Sequence, residues 1–251
     1  MPIGVVIATL AGCGRVGFDP LGDQATGHDE DGDGVPDSVD VCPFLDDDQR
    51  DQDDDGVGDA CDPEPVVRRQ RIALFLAMTA DDPVIPRQVG TWRIRDDSWE
   101  TTGIPYSDLE VDVPLVSAEI YAGLDVIAHP AFPQQIGIDA GDFDGMPYYY
   151  GEVYRNDAGG NGFTGLSHYD GGTSYSPVNH KPLTTPFPIG STTVHLTVEA
   201  VNPQMAFSSD LVQVQPVSSS TPLFTGASSF AVTVQSSIVA VRYMAVIVTE
   251  R

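Results

Sequence analysis

Positive charge is scarce in this sequence: lysine and arginine total 12 residues out of 251, against 37 aspartates and glutamates, for a formal net charge of −25. Phosphate would repel such a chain, which excludes nucleic acid and anionic bilayer surfaces as partners. Cysteine is nearly absent, with only Cys13, Cys42 and Cys61. No long stretch has apolar residues at helical spacing. There is no G-x-S-x-G elbow, no H-E-x-x-H pair and no glycine-rich phosphate loop ahead of a helix, so the commonest serine hydrolase, zinc protease and nucleotide-binding readings have nothing to stand on. The five histidines, His28, His129, His168, His180 and His195, are scattered without ligand spacing. What remains is a chain at 41% hydrophobic residues, enough for one good core with a small appendage.

The acid that is present is unevenly placed. Seventeen of the 37 acidic residues fall between Asp23 and Glu64, where Arg50 is the only lysine or arginine. With no apolar neighbours to bury, such a segment should stay extended unless something positive gathers it. Its spacing is regular: Asp29, Asp31, Asp33, Gly34, Asp37 and Asp40, then Asp51, Asp53, Asp55, Gly56, Asp59 and Asp62. Both units read D-x-D-x-D-G-x-x-D-x-x-D. A Ca²⁺ ion takes six to eight hard oxygen ligands, which a 12-residue loop supplies from positions 1, 3 and 5, a backbone carbonyl at 7, position 9 and a carboxylate at 12. Glycine at position 6 takes the tight turn. Val35 and Val57 would offer their carbonyls, and Asp40 and Asp62 would close the loops. Calcium is therefore the expected cofactor.

The amino-terminal run "MPIGVVIATLAGCGRVG" is too short to span a bilayer as a permanent helix. Its "LAGC", Leu10 to Cys13, resembles the lipobox of bacterial lipoproteins. The resemblance implies removal of residues 1–12, lipidation of Cys13, a linker over 13–28 and membrane attachment through the acyl chains alone. Gly14 after the cysteine favours an outer-membrane lipoprotein, on the periplasmic or the cell-surface side. In an exported chain the two remaining thiols, Cys42 and Cys61, most simply pair with each other.

Helices flanking each loop, as an EF-hand requires, are ruled out by Pro36, Pro43, Pro63 and Pro65. A dockerin should run into a leucine-bearing helix after position 12, where Val41, Cys42 and Pro43 stand. With "DVCP" at the first unit and "GDACD" at the second, residues 29–65 resemble a pair of thrombospondin type 3 repeats. That resemblance implies a nearly helix-free rod in which Ca²⁺ ions replace a hydrophobic core, with carboxylates sometimes shared between ions. The expected role is a spacer whose melting is independent of the rest.

From Val66 onward the chain turns to β-type runs, among them "SAEIYAGLDVIA", "YYYGEVYR", "TVHLTVEAV" and "IVAVRYMAVIVTE", separated by turn-formers such as "NDAGGNG" and "DGGTS". Val194, Leu196, Val198 and Ala200 alternate with His195, Thr197 and Glu199. The fold class predicted is mainly β, an antiparallel sandwich over 66–251. With "GTWRIRDDSWE" early and "FTGASSFAVTVQSSIVAVRYMAVIVTE" closing, this part resembles the concanavalin A-like or laminin G-like jelly roll. The resemblance implies adhesion or recognition of a glycan or surface protein; the alternative is a carbohydrate-active enzyme. "EVDVP", with Glu110 and Asp112, resembles the start of a glycosidase E-x-D-x-x-E signature, but Pro114 and Leu115 stand where the acid should follow, so the pair reads as the solvent face of a strand and no catalytic residue is expected. Asp139, Asp142 and Asp144 read as a polar loop tip, with a further cation site as the alternative. Tyr148, Tyr149, Tyr150 and the two tryptophans, Trp92 and Trp99, are aromatic faces that a sugar ring would suit.

Overall fold

The structure is a computed structural model and describes residues 27–95, 97–101, 105–141, 148–158, 162–169, 175–183, 189–199, 204–210, 217–220 and 227–250. Cys13, the apolar run before it, Asp142 and Asp144 lie outside the described residues.

Among these residues there are fifteen strands and no helix. They are β1 (Gln70–Leu76), β2 (Arg87–Val89), β3 (Trp92–Ile94), β4 (Trp99–Thr101), β5 (Tyr106–Leu115), β6 (Ser117–Ala128), β7 (Gln134–Gly141) and β8 (Tyr148–Arg155). After them come β9 (Gly162–Tyr169), β10 (Tyr175–Pro182), β11 (Gly190–Glu199), β12 (Gln204–Ser209), β13 (Val217–Ser220), β14 (Ala227–Gln235) and β15 (Ile238–Thr249). One sheet of eight strands runs β13-β12-β11-β6-β15-β4-β3, with β1 also paired to β15. The other, of seven, runs β10-β9-β8-β7-β14-β5-β2. The pairings are antiparallel, as the alternating runs predict. On its free edge β15 takes β4 at Ala240 and Val241 and β1 from Met244 to Thr249.

Period-two alternation puts one set of side chains between the sheets. Leu109, Ile138, Phe230 and Val232 come from the seven-stranded sheet and Ile120, Leu124, Leu196, Phe207 and Val246 from the eight-stranded one, all essentially excluded from water. Val194, Leu196 and Val198 point inward as the alternation requires. Ala200 lies outside the described residues.

The outer face of the eight-stranded sheet is covered. Phe44 from the acidic segment packs on Tyr121 of β6 and Tyr243 of β15, with ring centroids at 4.9 and 5.6 Å. Around it Cys42, Val57, Cys61 and Ile247 form a second apolar cluster, with Ile72 against it. Cys42 and Cys61 are joined in a disulfide with Cα atoms 5.9 Å apart, as their pairing in an exported chain anticipates. Polar ties complete the contact: Arg242 of β15 donates to Glu30 at 3.0 Å, and the amides of Arg69 and Gln70 donate to Asp55 at 3.1 and 2.6 Å. The expected free-standing rod is thus laid against the sandwich, because an aromatic and aliphatic patch on the outer sheet face needs a cover that the loops' own few apolar residues supply.

Tyr243 can lie flat only because its cross-strand neighbour is Gly123: a Cβ there would run into the tyrosine ring. Gly123→Ala is expected to destabilise the protein by about 1–3 kcal/mol through overpacking and to loosen the Phe44 contact. Urea unfolding followed by tyrosine fluorescence measures the first effect; faster proteolysis within 27–65 reports the second.

Candidate metal and ligand sites

The two aspartate units fold as copies of one another. In the first, Asp29 accepts from the amides of Gly32 and Gly34 at 2.8 and 3.1 Å, and Asp33 from Val35 at 2.7 Å. In the second, Asp51 accepts from Gly56 at 2.9 Å and Asp55 from Val57 at 3.0 Å. Gly34 and Gly56 both sit in the left-handed region, with φ of 96° and 92°, in otherwise open surroundings; the turn, and no lack of room, selects glycine at position 6.

These folds gather Asp29, Asp31 and Asp33 in one group and Asp51, Asp53 and Asp55 in another, with one carboxylate oxygen of each residue within 4.8 Å of the rest. A third group joins Asp33 and Asp40 to Asp47, a residue the twelve-residue register leaves out. Gln49 donates to all three of these, at 2.9, 2.8 and 3.0 Å. Asp37 and Asp59, assigned to position 9, are otherwise occupied. Asp37 binds the Glu30 amide and His28, and Asp59 binds the Gln52 amide and Arg50, each at 2.8–2.9 Å. Asp62 caps the Glu64 amide at 2.7 Å with one oxygen.

The donor set fits a hard divalent ion. Six buried carboxylate oxygens in this segment have no hydrogen-bond partner among the described residues: one each on Asp31, Asp40, Asp47 and Asp62, and both on Asp53. Burial, with neighbouring carboxylates adding to it, pushes Asp31 and Asp62 up to about 6. A cation among these oxygens would reverse both effects.

A second constellation lies on the outer face of the seven-stranded sheet. Here the alternation that buries Leu109, Ile138 and Val153 turns Asp108 and Glu110 of β5, Asp139 of β7, Thr233 of β14, and Glu152, Tyr148 and Tyr150 of β8 to the other side. A cavity of 330 Å³ opens there, lined by Asp108, Asp139, Glu110, Arg87, Tyr106 and Tyr148 among others. Thr233 donates to Asp139 at 2.8 Å; the other Asp139 oxygen and one Asp108 oxygen are buried without partners among the described residues. Glu110 is tied to Arg87, and Asp112 is exposed, so these two do not converge on a substrate. Asp139 is no loop tip: it sits in mid-strand, 3% exposed, opposite Tyr150. Sequence alternation misses it because β7, "QQIGIDAG", carries too few β-branched residues on its outer face to read as a strand.

Desolvation raises Asp139, Asp108 and Glu152. Asp139 goes well above the usual carboxylate range, with repulsion from Asp108 adding to burial and Thr233 opposing it. Asp108 is pushed up to about 6 and Glu152 to about 8, the latter against a 3.0 Å bond from Ser167. Ser167 also lies 2.8 Å from His180 Nε2. In that trio the acid contacts the serine and not the histidine, and Ser167 is fully buried, which is unlike a nucleophile and its base.

No protein-family model matches the sequence, and no curated protein matches it. Solved structures resemble the fold. The CBM2 module of the evolved Dit of Lactobacillus casei BL23 phage J-1 superposes with a TM-score of 0.56 at 9% identity, over 73% of this chain and 97% of that one. The seed lectin of Lotus tetragonolobus gives 0.52 at 9%, over 71% and 99%. The exoplasmic/lumenal domain of VIP36, in its Ca²⁺/Man3GlcNAc-bound form, gives 0.53 at 8%, over 68% and 86%. At these identities the likeness shows the fold alone: a two-sheet antiparallel β-sandwich like that of these domains.

The Glu152 shift has a sign that can be checked. Its carboxyl titrates near 4.5 when unfolded and near 8 when folded. Between those values the native state holds a proton that the unfolded chain has lost, so stability falls as pH rises through the window. Asp108 steepens the fall up to about pH 6. Glu152→Gln is expected to flatten the decline in melting temperature between pH 5 and 8 and to melt above the parent at pH 8; calorimetric scans across that range measure it.

Proposed function

We propose that the protein is a calcium-binding surface lipoprotein whose sandwich recognises glycans. The calcium reading is carried by one observation, the buried and partnerless carboxylate oxygens gathered by two in-register aspartate loops. Asp29, Asp31, Asp33, Asp51, Asp53 and Asp55 would form the primary ligand sets, in the manner of thrombospondin type 3 repeats. Asp40 and Asp47 would share Asp33 with the first ion, and Asp62 would close the second loop. Residues 29–65 would then be one calcium-dependent unit and 66–251 another, anchored through Cys13 at the outer membrane, with the loops resting on the sandwich.

Glycan recognition draws on the lectin-like fold and on the seven-stranded sheet's outer face. There Tyr148 lies 5.8 and 5.1 Å from Tyr150 and Tyr169, an aromatic surface beside polar groups. The second reading, a carbohydrate-active enzyme, rests on Asp108 and Asp139 facing one cavity; release of reducing ends from a glycan that binds, abolished in Asp108→Asn, is its test.

Because Asp55 both lines the second loop and holds the first amides of β1, calcium is expected to stabilise the sandwich as well as the loops. With affinity in the range of about 10⁻⁴–10⁻³ M, about 10 mM calcium contributes roughly 1.4–2.7 kcal/mol per ion. Titration calorimetry is expected to show saturable uptake, and chelation to lower the melting temperature of the β signal in far-ultraviolet circular dichroism. Asp53→Asn, which leaves the loop's amide bonds to Asp51 and Asp55 in place, should weaken uptake at the second loop about tenfold or more. No heat at millimolar calcium would end the calcium reading. A glycan array probed with the full chain, with and without chelator, tests the sandwich separately.

A further inference from the structure

Within the proposed glycan-binding face, the cavity between β5 and β7 has a chemistry of its own. Its floor is acidic: Asp139 and Asp108 sit on strands flanking β14, each with a buried carboxylate oxygen that no described residue satisfies. The basic residue lining it, Arg87, is engaged with Glu110 at the rim. Tyr106 and Tyr148 form the walls. Thr233 donates to the other Asp139 oxygen at 2.8 Å, and Thr233 and Tyr106 are the side-chain partners of the Asp108 carboxyl.

An anionic ligand such as a uronic acid or a phosphate would add to the cost of ionising two acids that burial and their mutual repulsion already hold toward the protonated form. A neutral hydroxyl would satisfy a lone pair but give the acids no counter-charge with which to ionise. A protonated amine does both: its three N–H donors answer the partnerless oxygens, its charge offsets the acidic floor, and tyrosine faces attract it through the ring quadrupole. At 330 Å³ the cavity has room for one sugar-sized group and little more. The chain's net charge of −25 would also concentrate cations nearby.

We infer that this cavity is an amine-recognising subsite, in which Asp139 and Asp108 bind the free amino group of a deacetylated amino sugar between the rings of Tyr106 and Tyr148. The inference rests on the glycan-binding reading and narrows it to cationic amino sugars.

Calorimetric titration of the full chain at neutral pH and fixed calcium, with a glucosamine oligomer, its fully N-acetylated counterpart and a glucose oligomer as probes, decides it. The glucosamine oligomer is expected to bind at least tenfold more tightly than the other two, with the preference lost in Asp139→Asn. Asp108→Asn is the second variant, in case Asp139→Asn does not fold, as judged by its melting. Equal binding of all three oligomers, or a preference for the N-acetylated or glucose oligomer, overturns the amine subsite and leaves glycan recognition standing. No binding of any oligomer, alongside a positive array, overturns the subsite alone. No binding together with a silent array overturns both. Preference for the glucosamine oligomer that persists undiminished in both variants would place the amine elsewhere on the acidic surface and overturn the assignment to this cavity.

Discussion

Carboxylates crowded without counter-charge are the constraint around which the amino-terminal part is organised. At separations of a few ångströms, like charges repel by about 1 kcal/mol per pair even in bulk-water dielectric, and more as water is excluded. The segment meets this partly from its own backbone. Amides at Gly32, Gly34, Gly56 and Val57 turn inward onto Asp29, Asp51 and Asp55, and Gln49 spreads its amide over three acids. Those donors leave the innermost oxygens of Asp31, Asp40 and Asp53 unanswered, which is the gap a divalent ion would fill.

The same segment is tied to the sandwich by two unlike kinds of contact. Phe44 and the disulfide supply apolar cover for Tyr121, Tyr243 and Ile247, a cover that needs no ion. Asp55 and Glu30, reaching the start of β1 and Arg242, are positioned by the loops themselves. A shift in loop conformation is therefore transmitted to β1 and β15, the strands that make the free side of the eight-stranded sheet. The seven-stranded sheet bears no such contact from this segment among the described residues, and its outer face keeps the buried acids Asp108, Asp139 and Glu152 in a separate electrostatic neighbourhood.

Much of this was legible in the order of residues. Ser117 to Ala128 and Tyr148 to Arg155 read as β-type runs and fold as β6 and β8 with those bounds. The loop aspartates at positions 1, 3 and 5 could be read from spacing because the geometry is local and nearly rigid. Three things could not. β7, β9 and β12 carry glycine, serine and glutamine on the outer face, so their partners, and not their own propensity, make them strands. Asp47 joins Asp33 and Asp40 across a turn of the chain that no fixed register describes. The meeting of Asp108 with Asp139 depends on β14 lying between strands distant in sequence, a matter of topology that spacing does not encode.

The placement of Phe44 over β6 and β15 also sets a direction. The acidic loops occupy one broad side of the molecule, and Gly27, the first described residue, lies with them against Pro36. If the terminus is held at a surface, the loop-covered side is drawn toward it and the tyrosine-bearing side of the other sheet is left looking outward. One aromatic contact would then decide which way the molecule faces.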